Sequence, residues 1–430
     1  MNWSRRYAIR SYLRSTVWTA PVIALVLEQI TFRVAYFHGI DFGGIPGFVI
    51  GKSGTIALAD YVIGSSISFI VFTFSSLIVA IQVASGQLSP RIIATTLLRD
   101  RGIRGSVALF VYALLLAIAV KTRIDTIPRF LTSVTGILGL LSVIVFMFLI
   151  DHAARLLRPV NIVGRVAQQG LQVLEEVYPN PIATSPAPPR DLKNLTDATR
   201  IVFHEDRSAI IIAVNVNALI SSAAKADAVV EMIPRVGDFV ATGDPLFRLR
   251  GGREKEIDER FLRGQVAFGR ERTIEQDSTF AFRVIVDIAI KALSPAINDP
   301  TTAVIAIDQL QRLLRSVGRR DLRDEGMLDN QGQLRLIFHT PNWNDFVDLT
   351  FSEIRMYGTT NLQVVRRLRS MIRELLQNLP ERRRELLHGE LDLLDRSIAR
   401  VYVLPEDLTR ARIADSQGLG GASGNAVELS

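Results

Sequence analysis

YVIGSSISFIVFTFSSLIVAIQVASGQLSP, residues 61–90, carries no formally charged side chain over thirty consecutive positions. At about 1.5 Å of rise per residue, such a helix exceeds the roughly 20 residues needed to cross a bilayer core. The stretch reads as a transmembrane helix, and its neighbours follow the same pattern. Residues 130–150 form a second uncharged run, and residues 105–120, between Arg104 and Lys121, are shorter but intensely apolar. Residues 13–37, the first candidate span, are interrupted by Glu28 and Arg33, so this span either ends early or carries charge inside the membrane. The prediction is a membrane α-helical bundle of about four transmembrane helices.

Basic residues beside the spans set the orientation. Arg5, Arg6, Arg10 and Arg14 precede the first span, Arg91, Arg99, Arg101 and Arg104 follow the second, and Arg155, Arg158 and Arg165 follow the fourth. The opposite loops offer Lys52, then Lys121, Arg123 and Arg129. Both termini are expected in the cytoplasm, with the bundle crossing the plasma membrane several times. Residues 15–27 run into Glu28 and not into a small-residue cleavage site, which argues against a secretory signal peptide.

Within the second span Ser65, Ser68, Phe72, Ser76 and Val79 recur at helical spacing, as do Gly136, Gly139 and Ser142 in the fourth. Small residues let helices approach closely, and hydroxyls also suit a water-filled path; both readings stand. Glu28 and Arg33 are either functional intramembrane charges or headgroup contacts. Gly51-Lys52-Ser53 imitates the end of a phosphate-binding loop, but Pro46 stands where that pattern needs glycine. A flexible connection is expected there.

Length and composition leave room for more than a bundle. The 430 residues correspond to roughly three domain-sized units, and the mean hydropathy of +0.24 comes from apolar residues crowded before Asp151. The absence of cysteine excludes disulfides, thiolate metal sites and cysteine nucleophiles. The net charge of +7 fits a cytoplasmic face against anionic lipid better than it fits nucleic acid, which is not an expected partner.

The remainder predicts an α+β cytoplasmic domain containing a small β-module. Five prolines between Pro179 and Arg190 mark a linker. Residues 208–216 are β-branched and apolar, and residues 228–249 read as strand-turn-strand. Arg235-Val236-Gly237-Asp238 and Gly243-Asp244-Pro245 resemble half of a biotinyl/lipoyl-like barrel-sandwich. Lys255 lacks the expected flanking methionine, so no cofactor is expected. The predicted segments are 1–152 (bundle), 153–191 (helical extension and Pro-rich linker), 192–256 (β-module), 257–410 (mostly helical cytoplasmic domain) and 411–430 (disordered tail).

The segment from Arg272 to Ala303 is the most distinctive. Phe282, Ile285, Val286, Ala289, Ile290 and Leu293 share one helical face, and Arg283, Asp287 and Lys291 stack at i, i+4 on another. Ser294-Pro295 stops that helix, and Asn298-Asp299-Pro300-Thr301 starts the next, with Asp299 as cap and Pro300 in the first helical position. Arg272, Glu275, Gln276, Asp277, Asp287, Lys291, Ser294, Asn298 and Asp299 are therefore candidates for a functional or interface role. Further on, arginines 366, 367, 369, 373, 382, 383 and 384 form a basic face, either solvated or aimed at anionic headgroups.

Arg272-Thr273-Ile274-Glu275-Gln276-Asp277, with Asp287-Ile288-Ala289 and the run from Lys291 to Ala303, resembles the signature of a widespread bacterial family of predicted membrane proteins of unknown function. Ser89-Pro90-Arg91 and Arg99-Asp100-Arg101 resemble the family's first cytoplasmic loop. The resemblance implies a four-helix bundle with a cytoplasmic domain, and no reaction. Histidines 38, 152, 204, 339 and 388 are scattered singly, which does not favour an enzyme. Two readings remain: an oligomeric channel or transporter built from a homo-oligomer, and a membrane-anchored regulator without a pore.

Overall fold

A computed structural model describes residues 3–7, 19–37, 51–87, 100–123, 129–156, 158–182, 200–322 and 326–420. These fall into two units, one of residues 11–162 and one of residues 1–10 with 163–430. Arg91, Arg99, most of the Pro-rich linker and residues 421–430 lie outside the described residues.

The first unit holds α1 (Thr19–Phe37), α2 (Lys52–Gln87), α3 (Arg101–Thr122) and α4 (Arg129–Leu156). Three of them are long and apolar enough to cross a membrane, over Lys52–Gln82, Arg101–Thr122 and Phe130–Arg155. α1 forms over 19 residues with Glu28 and Arg33 inside it, and is not among the helices that meet this measure over the described residues. Half of the α3 window is buried, against 33% for α4 and 22% for α2, so α3 is the centre on which α1, α2 and α4 pack. Phe69, Phe110 and Phe146 join α2, α3 and α4 by ring contacts at 5.4 and 4.2 Å. Gly139 of α4 abuts Val62 of α2 so closely that a Cβ there would collide. α2 already begins at Lys52, so Gly51-Lys52-Ser53 opens a helix where a flexible connection is expected.

At one end of this unit Lys121 pairs with Asp60 at 2.5 Å. At the other, Asp100 caps α3 through the Gly102 and Ile103 amides and meets His152 Nε2 at 2.8 Å. The helix expected from Asp151 onward is in two pieces: α4 stops at Leu156, and Pro159, which lacks an N–H, opens α5 (Pro159–Val177).

The second unit builds two sheets from β1 (Arg200–Phe203), β2 (Ala209–Val214), β3 (Val229–Met232), β4 (Phe239–Val240), β5 (Pro245–Arg250), β6 (Val266–Gly269), β7 (Gly326–Leu328) and β8 (Leu334–Phe338). One sheet has the order β1-β5-β3-β8-β7, with β3 and β8 parallel; the other is β4-β2-β6. Strands on both sides of residue 257 thus share one sheet, and α6 (Val216–Lys225) packs on β3 and β8. Leu219, Val230, Met232, Phe247 and Leu336 are fully buried between them. The short α7 (Glu259–Arg263) leads into β6.

The helical part comprises α8 (Ser278–Ala292), α9 (Pro300–Gly318), α10 (Trp343–Gly358), α11 (Leu362–Asn378), α12 (Arg384–Val401) and α13 (Pro405–Ala411). α8 is buried on most of its circumference, with α9 and α10 against it. Gly170 of α5 lets that helix approach Ala281 of α8 and Leu313 of α9. Residues 411–420 are ordered where a disordered tail is expected, because the Asp415 carboxylate folds them into a turn by accepting from the Gln417, Gly418 and Gly420 amides.

Candidate functional site

Asp277 organises the start of the signature segment. One carboxylate oxygen accepts the Thr279 and Phe280 amides and the Thr279 hydroxyl, capping α8; the other receives Arg272 Nε at 2.9 Å. Asp277 is 3% exposed, so its charge is compensated by the guanidinium and by the helix N-terminus. Arg272 also lies 5.8 Å from the Phe280 ring centroid. Behind the pair stands Gly237 at φ +94, whose backbone leaves no room for a Cβ against either residue.

The neighbouring residues tie this turn to other parts of the unit. Gln276 Oε1 accepts the Val214 amide at 2.8 Å at the end of β2. Glu275 accepts from the Tyr7 hydroxyl. Trp3 stacks on Tyr7, both pack on Ile212, Ala213 and Ala267, and the Ser4 amide donates to the Gly264 carbonyl. Residues 3–7, which precede α1, are thus seated on the second unit.

The charged ladder on α8 bridges helices. Arg283 donates to Asp287 one turn along and to both Glu353 oxygens on α10. The hydrogen bond from Arg283 holds the Glu353 carboxyl below the usual glutamate range. At the far end, the Ser294 hydroxyl donates to the Lys291 carbonyl, and Asn298 takes a left-handed conformation at φ 47. Asp299 then caps α9 through the Thr302 amide and hydroxyl, with Pro300 in the first turn. Asp287, Lys291, Ser294, Asn298 and Asp299 line neither of the cavities described next.

Gln276, Asp277 and Ser278 open onto a cleft of about 750 Å³. Its other walls include Trp3, Tyr178, Asn215, edge strand β7 and the His339-Thr340-Pro341 turn. Tyr178 is buried and donates to the Pro341 carbonyl at 2.9 Å; burial pushes its phenol up to about 12. Arg272 and Thr279 line a smaller cavity of about 320 Å³ with Arg235, Asp345, Asp348 and Glu353. Sequence reasoning missed Trp3, Tyr7 and Tyr178. The Trp3/Tyr7 pair at i, i+4 ahead of the first span was the available signal.

In the membrane unit Glu28 is buried, 5% exposed, and Arg33 is exposed. Thr31 of α1 meets the Tyr112 hydroxyl of α3 at 2.9 Å. Ser65 and Ser68 donate back to the Val62 and Gly64 carbonyls; Ser68 faces outward, and Ser76 lines a 210 Å³ apolar cavity. Among the buried hydroxyls, those of Thr73, Ser106 and Thr135 donate back to the Phe69, Gly102 and Leu131 carbonyls, whereas those of Ser66 and Ser142 have no hydrogen-bond partner among the described residues. The basic face expected over residues 366–384 is corrected in its first part: Arg366, Arg367 and Arg369 are 3, 5 and 4% exposed, whereas Arg373 and Arg382 are exposed. Arg367 meets Asp308 at 2.7 Å and Arg369 meets Asp395, so the charges are internal struts between helices.

Comparison with known proteins agrees with the signature. Residues 14–374 match the family described as predicted membrane protein (DUF2254). The chain is 27% identical over 442 residues to an uncharacterized protein of Mycobacterium tuberculosis and to one of Mycobacterium bovis, covering 94% of this chain and 80% of each relative. No solved structure matches. Three apolar helices, a downstream unit of helices and sheets, and a family match over most of the chain lead to one conclusion: this protein belongs to the DUF2254 family of predicted membrane proteins.

Proposed function

We propose that this protein is a membrane-anchored regulator of the bacterial inner membrane, with four crossings and both termini cytoplasmic. In this reading the cleft beside Gln276 and Asp277 takes a ligand, and the N-terminal segment carries its occupancy to α1. The observation behind it is the seating of Trp3 and Tyr7 on the soluble unit. The chain leaves that unit before α1 and rejoins it after α4, which favours an even number of crossings, with α1 as the fourth. Arg5, Arg6, Arg155 and Arg158 are placed as the positive-inside tendency asks. The bilayer and its anionic headgroups are the surrounding partners. A homo-oligomer would cover α2, whose window is only 22% buried within the chain. Gln276 and Asp277 form part of the site wall, Arg272 and Glu275 hold that wall from behind through Asp277 and Tyr7, and Asp287, Lys291, Ser294, Asn298 and Asp299 set the angle of the helices beyond it.

The cysteine-free chain allows a direct test of topology. Single variants Arg5→Cys and Arg253→Cys should react with an impermeant maleimide from the cytoplasmic face, and Lys52→Cys from the other. Labelling of positions 5 and 253 from opposite faces would sink the proposal.

A channel or transport function is the second reading, favoured by the buried carboxylate of Glu28 in α1. Ion flux into proteoliposomes that disappears with Glu28→Gln or with substitution of Ser65, Ser68 and Ser76 would establish it. Absence of such flux in the native chain favours the regulator.

A further inference from the structure

α11 packs four arginines into eight residues, and the environment of the first is unlike a solvated face. Arg366 directs its guanidinium at the main chain of residues 412–420. Nε donates to the Ile413 carbonyl at 3.1 Å and Nη1 to the Gly420 carbonyl at 3.0 Å. One turn earlier, Gln363 Nε2 donates to the Gly418 carbonyl at 2.6 Å. Beside them, Nη1 of the 5%-exposed Arg367 is buried with no acceptor among the described residues, and Gly418 lies over the stem of that arginine. Three nitrogen donors thus converge on the strap and are met by backbone carbonyl oxygens, next to an arginine with one buried donor unmet.

The strap that supplies those oxygens is lightly held. Its turn depends on the Asp415 carboxylate, and its larger apolar side chains, Ile413 and Leu419, are 38 and 75% exposed. A segment joined by polar contacts with little apolar burial sits at the low end of local stability. The family match ends at residue 374, so it takes in the arginines and leaves out the strap.

We infer that the strap is an exchangeable cover over a phosphate-recognising surface on α11, and that it yields to the phosphodiester of an anionic lipid headgroup. Three carbonyl oxygens stand where phosphate oxygens would, and the vacant donor on Arg367 is a fourth contact that the strap leaves unmade. Guanidinium–phosphate hydrogen bonds are charge-assisted on both sides and stronger than guanidinium–carbonyl ones. The lipid source follows from the membrane reading of the chain, on which the inference rests: the bilayer is the nearest concentrated supply of phosphodiesters.

The test uses the full chain in detergent with dioctanoylphosphatidylglycerol as probe. Dioctanoylphosphatidylcholine and inorganic phosphate are the controls. Gly418→Val lifts the strap while leaving every donor group in the sequence, because Gly418 has φ +66 and a Cβ there would strike Val304 and press on the Arg367 stem. Asp415→Ala removes the turn, and a chain ending at Leu404 removes the cover outright. Each should bind the anionic lipid about tenfold more tightly than the native chain, a gain erased by Arg366→Gln. The inference falls if the chain ending at Leu404 binds no better than the native one, or if the gain survives Arg366→Gln. Equal binding of inorganic phosphate would overturn the lipid assignment. Maleimide labelling reads the topology independently, so failure of one proposal is separable from failure of the other.

Discussion

Gly237 lies against the Asp277 carboxylate with no space for a side chain between them, and its φ of +94 is one that L residues avoid. A turn between two short strands is therefore fitted to the cap of the signature helix. Gly237→Ala would have to displace the Arg272–Asp277 pair and strain the backbone as well. The expected loss is about 2 kcal/mol or more, read as a fall in melting temperature of the detergent-purified protein. An unchanged melting temperature would refute this fit.

The two caps of the segment should differ in weight. Asp299→Ala removes the α9 cap at a half-buried site and should cost about 1 kcal/mol. Asp277→Ala removes a cap and also strands Arg272, so it should cost about 2 kcal/mol or more. Comparable melting temperatures for the two variants would contradict the double role of Asp277.

Acid should weaken the α8–α10 bridge. Glu353 is held below its ordinary value of 4.5 by Arg283, so its contribution is present above that value. It is lost as pH falls through the lowered folded value. Glu353→Gln should therefore matter more at pH 7 than at pH 3. Because the carboxylate is 40% exposed, the effect at pH 7 should stay below about 1 kcal/mol. Melting curves of both proteins at the two pH values check this.

Alkali should act through Tyr178. Its phenol is raised from 10.0 to about 12 by burial, so the unfolded chain ionises first. The stability it contributes is complete below pH 10 and declines as pH rises toward 12. Tyr178→Phe should flatten the stability profile in that window. It should also lower stability by about 1 kcal/mol at neutral pH through loss of the bond to the Pro341 carbonyl. A native-like alkaline profile in the variant would refute the assignment.

Features that depend on neighbouring residues were legible in the sequence. The uncharged run in α2 and the Asp299-Pro300 start of α9 are local, and both appear where the residues placed them. The first span was less legible, because Glu28 and Arg33 interrupt its apolar run although the helix forms through them. The α11 arginines were misread because their partners are remote: Asp308 lies 59 positions from Arg367, and the strap carbonyls lie some fifty from Arg366. A run of arginines looks solvated until distant acceptors are known. The parallel pairing of β3 with β8 was hidden for the same reason, and the seating of the N-terminal segment left only the i, i+4 spacing of Trp3 and Tyr7 as a sign.

Tyr7 and Glu275 are 268 positions apart, which sets a timetable for synthesis. At roughly 5–20 residues per second, between about 10 and 50 seconds separate the emergence of the one from that of the other. The earliest-made aromatic residues must wait, unseated, while the membrane helices are inserted and the strands that receive them are translated. A chain stalled before Glu275 cannot complete that seat. Burial of Trp3 is therefore a late milestone in the protein's biogenesis, and a fluorescence change at that residue would time the completion of the soluble unit.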